Sequence, residues 1–421
     1  VVALAEPDAA RRGGMATDHA LGPEDRFAGW PELLDASDRI RPDAVVIATP
    51  DREHAAPAIA ALRRNLHVLL EKPIAPTAAE VRAVGEAATR SRGSVTVAHV
   101  LRYTPFFTAV RRALDDGWIG DLVTITHAEH IGYWHFAHSY VRGNWRSERI
   151  ASPMILAKAC HDLDLLRWFA GDRCTAVASF GGLRHFRPSE APTDALDRCW
   201  DGDRRCPAAA SCPFDAVRLY VERTAAVTDW PVSVVTDDPS PAGRMAALAT
   251  GPYGRCVYRC DNDVADHQVT ALEFGNGVRA TLTVSGLTPD NTRKIVLGGT
   301  RGELRGRLDT GSIEIRRFLP NGPSVPDDLP WDRDEHGRNA MRDDERITLT
   351  ATAVPLYDGH GGGDDGLMTD LVARLHALRD GGAEAMAEAR TGLAASIDSH
   401  VMAFAAETSR HERRVVELGG R

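Results

Sequence analysis

Lysine is scarce in this chain. Of its 50 lysine and arginine residues, only Lys72, Lys158 and Lys294 are lysine. Arginine supplies plain positive charge elsewhere, so a retained lysine can be there for an amine able to lose its proton. Chance survival in an arginine-biased genome is the competing explanation. Two of the three stand in sequences with chemical potential. In Glu71-Lys72-Pro73 the proline fixes the backbone beyond the lysine and directs its side chain forward. Lys158-Ala159-Cys160-His161-Asp162 opens a stretch that reads as one helix through Trp168, which brings Lys158, His161 and Asp162 together at helical spacing. A lysine whose cation is destabilised by a neighbouring positive charge has a lowered pKa and suits proton transfer. The plainer readings are a surface turn at Glu71-Lys72-Pro73 and a partly buried histidine with a structural aspartate at 161–162.

Three other segments combine reactive residue types. Tyr133 to Arg146 mixes aromatic rings, histidines and arginines. Such a mixture suits a hydroxylated ring, with aromatics on its C–H face and polar groups on its hydroxyls. His138, Tyr140, Arg142 and Trp145 are the substrate candidates there, against the alternative of a strand edge with interface aromatics. Cys199, Cys206 and Cys212 lie in a polar, proline-rich loop and could hold zinc, with His185 or Cys160 as fourth ligand. No Cys-x-x-Cys pair supports this, and free cysteines or a labile disulfide compete with it; Cys256 and Cys260 lie nearer a predicted strand. His360-Gly361-Gly362-Gly363-Asp364-Asp365 precedes a helix, and His360 and Asp364 either close over a substrate or belong to a flexible loop.

The elements that must position these residues alternate at first between short apolar runs and helical stretches. Val1–Ala5, Ala44–Ala48, His67–Leu70 and Val95–His99 read as buried parallel strands. Residues 53–64 and 77–90 read as helices, the second capped by Thr77. This predicts an α/β fold, a Rossmann-like doubly wound parallel sheet with ligands at the carboxyl ends of its strands. Such a fold normally opens with a strand, a Gly-x-Gly-x-x-Gly turn and a helix, followed about 20 residues on by an acid that holds the ribose. Glu6 stands where that acid belongs, but no such glycine turn precedes it, and Gly13-Gly14 comes after it. The expectation is that the first βα unit is missing upstream and that the chain as it stands is of low stability; the alternative is that no dinucleotide ever bound. A carboxylate at this position favours NAD over NADP, since a 2′-phosphate would be repelled. Beyond about residue 105, longer alternating strands over 122–131, 267–274 and 278–285 predict an α+β domain with a large, mainly antiparallel sheet. A Gly275-Asn276-Gly277 turn joins the last two strands. Helices return at 367–378 and 393–410, and 186–215 and 320–346 read as long loops. The domains expected are 1–105 for the nucleotide and 106–421 for substrate and oligomerisation.

Taken in order, Ala48-Thr49-Pro50, His54, Glu71-Lys72-Pro73 and His99-x-x-Arg102-Tyr103-x-Pro105 resemble the glucose-fructose oxidoreductase / inositol dehydrogenase family (Gfo/Idh/MocA). The resemblance implies a nicotinamide-dependent oxidoreductase acting on the CH–OH of a sugar, polyol or related cyclic compound. It assigns Ala48, Thr49, Pro50, His54, Glu71, Lys72 and His99 to the cofactor, beside Glu6. Lys72 also meets substrate, and Arg102, Tyr103 and Asp162 join the substrate residues. Lys72, His161 and Lys158 become the catalytic set. Many family members carry an aspartate four residues before the histidine; here that position is Ala157, and Lys158 is expected to take part of its role. The family also admits glycosidases that work by transient oxidation and non-catalytic nucleotide sensors. Homo-oligomers are expected.

Composition agrees with a globular protein of two domains. The chain has 421 residues, 43% hydrophobic and 26% charged. A net charge of −9 argues against nucleic acid as partner. No apolar run reaches the roughly 18 residues of a membrane span. Seven cysteines, an odd number, favour a reducing cytoplasm.

Overall fold

The first apolar run yields Leu4–Ala5 (β1), paired in parallel with Arg26–Phe27 (β2). Ala44–Ile47 (β3), His67–Leu70 (β4) and Val95–Val97 (β5) form a second parallel sheet in that order. The one sheet expected from the alternating pattern is therefore two ladders that share no strand. Helices Ala55–Arg63 and Ala78–Thr89 cover β3–β5 because their apolar residues recur at helical spacing. Ala58, Leu62, Val81 and Val84 pack against Ile47, Val68 and Leu70. Thr77 caps the second helix by accepting the Glu80 N–H. These observations come from a computed structural model that describes residues 1–318, 344–351, 359–379 and 389–419.

The remainder builds a nine-stranded sheet. Its strands are Leu122–Gly132 (β6), Cys174–Gly182 (β7), His267–Phe274 (β8), Arg279–Thr288 (β9), Thr292–Gly299 (β10), Gly302–Arg307 (β11), Ser312–Phe318 (β12), Asp344–Thr350 (β13) and Val416–Glu417 (β14). The order is β13-β12-β11-β10-β6-β9-β8-β7-β14, and only β6 and β9 run parallel. The predicted turn closes β8 onto β9, with Gly277 at φ 92°, a conformation that favours glycine. Strict alternation puts Gln268, Thr270, Leu272 and Phe274 of β8 on the inner face. Helices Cys160–Ala170 and Leu393–Glu412 cover that face and share its core.

Two expectations about elements change. The helix expected to run unbroken from Lys158 is a short helix, Met154–Ala157, and a longer one, Cys160–Ala170, joined at Lys158-Ala159. Of the loop expected over 320–346, residues 320–343 lie outside the described residues and 344–346 belong to β13. The segment 186–215 is turns and short 3-10 pieces, as its composition suggests. Among the described residues no helix is long and apolar enough to cross a membrane.

Two buried clamps join the nucleotide-domain turns to the helices behind them. Arg102 donates Nε–H to Asp164 Oδ2 and Nη2–H to Oδ1, both at 2.6 Å, with both side chains almost wholly inaccessible. Arg102 is therefore not a substrate residue, because its fork of donors is committed to that carboxylate. His400, on Leu393–Glu412, accepts the Ile74 N–H at Nε2 (2.8 Å) and donates Nδ1–H to Ser396 O (2.7 Å). Burial, with His99 nearby, depresses His400 to about 3, and burial depresses His99 to about 4.

Replacing Arg102 by Met would leave the Asp164 carboxylate buried and uncompensated. It should cost about 3–5 kcal/mol in urea unfolding, and a cost below 1 kcal/mol would refute the clamp. The two histidines give a pH dependence. Unfolded, each takes up a proton near pH 6.5; folded, each stays neutral until about pH 4 (His99) or 3 (His400). Their contribution is therefore full above pH 6.5 and lost as pH falls toward 4, at up to ~1.4 kcal/mol per pH unit per histidine. Urea melts at pH 7.5 and 5.0 should show the loss, and His400→Gln should flatten it; equal slopes for both proteins would contradict this account.

Candidate active site

The carboxyl ends of β3, β4 and β5 deliver the predicted turns to one place. Ala48 and Pro50 are exposed and Thr49 is half-buried, its hydroxyl donating to Glu53 O at 3.0 Å. The Glu71 carboxylate accepts the Lys72 N–H at 3.0 Å. Lys72 then reaches across to Met154–Ala157, where Nζ donates to Ala157 O at 2.8 Å. The missing aspartate side chain at 157 thus leaves a backbone carbonyl to hold the amine. Glu6, at the end of β1, shares one carboxylate oxygen between the Asp8 N–H and the Arg11 guanidinium.

Beside Lys72 lies a group of histidines. His161 and His99 stand edge to face, 5.6 Å between centroids, and His360 is 6.2 Å from His161. Neither nitrogen of His99 nor Nδ1 of His161 has a partner, and all three atoms are sealed from solvent. Burial, then the nearby positive charge of Lys72, holds His161 well below the usual histidine range, so its ring is neutral at pH 7. The His360-to-Gly362 turn is left-handed, and His360 pairs with Asp364 at 3.0 Å. The glycine run therefore brings an imidazole toward His161.

On the far side of Lys158 is an ion network that the sequence did not reveal. Asp162 is fully buried and accepts His127 Nε2 at 2.7 Å and Arg293 Nε at 2.8 Å. Burial opposes its ionisation, but Arg293 and His127 outweigh this and hold its carboxyl below the usual range. Asp162 is not a substrate ligand, since its oxygens are consumed inside the core. The Arg293 Nε–H is aimed at Asp162, so Glu129 Oε2, 2.9 Å from Nε, receives charge without a proton. Glu129 also lies 3.7 Å from Lys158 Nζ. Burial raises Glu129 against the pull of Arg293, and burial lowers Lys158 against the pull of Glu129. Alternation along β6 and β10, with His127 opposite Ile295, put these polar residues inward; only a charged residue on a core-facing strand position signalled them.

Other sequence candidates prove structural. Both ring nitrogens of His54 face carbonyls, Nδ1 toward Pro73 O at 2.6 Å and Nε2 toward Thr49 O at 2.7 Å. It staples two cofactor-side turns together and has no atom left for a nucleotide. The Tyr103 hydroxyl meets Asp370 and Thr391 instead of substrate. His138 is locked by the Tyr220 hydroxyl at 2.8 Å and stacked on Tyr253. Tyr140 lies in the core, stacked on Phe136. Arg142 is buried and donates to the carbonyls of Arg255 and Phe214, so it cannot reach a sugar. Trp145 commits its N–H to Asp51 at 3.2 Å, which also takes the Ser152 hydroxyl. Trp134, His135 and Trp230 do gather, with His135 5.1 Å from Trp230 and within reach of the Lys158 charge. Of the zinc candidates, Cys160 is apart from the others in Cys160–Ala170, and His185 Nε2 meets the Tyr258 hydroxyl at 3.3 Å. No three cysteine sulphurs among the described residues lie within 4.8 Å of one another.

Comparison with known proteins agrees with the fold of the two domains. Residues 1–99 match the family model described as oxidoreductase family, NAD-binding Rossmann fold. Residues 111–417 match that family's C-terminal alpha/beta domain. The oxidoreductase YteT of Bacillus subtilis is 27% identical over 85% of this chain and 77% of its own length. Inositol 2-dehydrogenase 1 of Saccharopolyspora erythraea is 32% identical over 42% of this chain, and the match spans about half (48%) of that relative. A levoglucosan dehydrogenase solved with NADH and levoglucosan superposes with TM-score 0.64 at 17% identity, over 99% of this chain and 90% of that one. An Agrobacterium radiobacter oxidoreductase solved with NAD+, L-tartaric acid and magnesium gives 0.63, also at 17%, over 99% and 90%. With both domains matched in order and the Lys72 and His161 segments brought to one site, the chain belongs to the Gfo/Idh/MocA oxidoreductase family.

Proposed function

We propose that this protein oxidises a secondary hydroxyl of a sugar, polyol or related cyclic compound at the expense of NAD. The observation that carries this is the meeting of Lys72, Lys158 and His161 at the carboxyl ends of the parallel strands. The accessible Ala48-Thr49-Pro50 turn, and unpartnered nitrogens on His99 and His161 close to Lys72, fit a nicotinamide nucleotide. Ala48, Thr49, Pro50, Glu71 and Lys72 would hold it, with Glu6 favouring NAD over NADP by repelling a 2′-phosphate. Bound there, the nucleotide supplies a hydride acceptor. His161, neutral because it is buried, takes the hydroxyl proton, with Nε2 as the edge of the ring left for substrate. Lys72, braced by Ala157 O, stabilises the developing alkoxide charge. Lys158, poised between Glu129 and His135, gives a second positive group on the substrate side. Trp134, His135 and Trp230 offer faces for an apolar ring surface.

The domain division proposed is 1–105 for the nucleotide and 106–421 for substrate and self-association. Phe180 and Val269 support the latter: they are cross-strand partners, 68% and 47% exposed on the outer face of the large sheet. Seven unpaired cysteines support a reducing cytoplasmic setting.

Inositols and levoglucosan, the compounds in relatives' names, are the first substrates to screen. Lys72→Met and His161→Asn should each lower kcat by about 10²–10⁴-fold, while calorimetry shows NAD binding kept in His161→Asn and weakened in Lys72→Met. Full turnover by either variant would sink the assignment. Glycoside cleavage without NADH accumulation would replace net dehydrogenation by transient oxidation.

A further inference from the structure

The proline-rich segment expected to be a loop borders a cysteine-lined cavity, separate from the proposed active site. Cys199, Cys206, Cys212 and Cys256 line one small cavity together with Arg142 and Asp215. Three of the four cysteines are buried and the fourth is half-buried. Arg142 is 1% exposed, and no carboxylate bonds it; its partners are two carbonyls and the Cys199 sulphur, and its Nη1 has none. Asp215 does not bond it either, since Oδ1 meets Arg205 and Oδ2 has no partner. A buried guanidinium without a bonded carboxylate is costly unless another negative charge faces it.

The hydrogen bonds say which charge. Two cysteines on the cavity wall receive an N–H at sulphur. Arg142 Nη2 donates to Cys199 and the Leu196 N–H to Cys206, each at 3.4 Å. Backbone N–H groups at Phe214 and Tyr258 favour the thiolate forms of Cys212 and Cys256, although burial raises both thiols. Cys260, close by, does the opposite and donates its S–H to Cys256 O at 3.3 Å. N–H groups aimed at sulphur are the outer-shell bonds of thiolates that ligate metal. We propose that Cys199, Cys206, Cys212 and Cys256 hold a metal centre as four thiolates, with Arg142 as its buried counter-charge and Cys260 left as a free thiol. Binding displaces the four S–H protons. A zinc ion and a four-iron, four-sulfide cluster in its oxidised form both give the liganded site a net charge of −2, which Arg142 half balances. At a zinc–sulphur distance of 2.3 Å the ligands of a single zinc would sit about 3.8 Å apart. Among the described residues no three sulphurs are within 4.8 Å of one another, so zinc would draw the side chains inward, whereas a cluster needs them spread.

The centre has a structural task. Arg142 ends the aromatic segment Tyr133–Arg142 and also bonds the backbone at Phe214 and Arg255. Metal at the four sulphurs would pin the 199–256 segment, with Trp230, to the Tyr133–Arg142 segment that carries Trp134 and His135.

The test is metal analysis of the full chain purified without oxygen or chelator, and again after reconstitution with Zn2+ alone or with Fe2+ and sulfide. One zinc per chain without colour, or about four irons with a broad visible absorption bleached by dithionite, supports the centre and tells the two forms apart. Titration of the wild-type protein with a mercurial should release that metal stoichiometrically and make 199–256 the first site of proteolysis, a readout independent of any variant's folding. Cys256→Ser should lose the metal and Cys174→Ser should keep it. Less than 0.2 metal per chain after both reconstitutions, or these cysteines found paired as disulfides, would overturn the proposal.

Discussion

The Asp162 carboxylate is the point on which the site depends. It is a full charge with no exposure, and such a charge persists only with close partners of opposite sign. Arg293 from β10 and His127 from β6 supply them. Their bonds fix the rotation of Cys160–Ala170 on the sheet. One residue along a helix turns by about 100°, so with Asp162 pointing into the sheet, His161 turns toward His99 and Lys72. The same network places Glu129 beside Lys158 and sets the charge balance that Lys158 experiences.

The nucleotide half is tied to this frame by polar contacts as well as by apolar packing. Arg102 on Asp164, His400 on Ile74 and Lys72 on Ala157 each cross from one half to the other. A guanidinium and an amine thus reach partners in the helices beneath the large sheet, and an imidazole reaches back from one of those helices. Geometry at the reacting carbon is sensitive to displacements of an ångström, and burial of these contacts is what limits such displacement. Residues that sequence patterns offered as ligands, Arg102, His54 and Tyr103 among them, instead hold those ligands in place. The error has a common cause: a polar residue next to a site-bearing turn is as useful bracing the turn as touching a substrate.

Much of the fold and part of the site were legible in the sequence. The period of the apolar residues determined the parallel strands, their covering helices and the long alternating strands; glycine fixed the β8–β9 turn through its access to positive φ. Lysine's rarity singled out Lys72 and Lys158, and the order of the motifs fixed the family. Tertiary structure alone decided the rest. Whether Arg142 meets a sugar or the cysteine cavity, whether Asp162 faces solvent or Arg293, and that Cys256 joins Cys199 on one cavity wall all turn on contacts between residues 57 to 131 positions apart. A side chain's type and local spacing state what it can bond; which partner it meets is settled by how distant segments pack, and no local pattern carries that information.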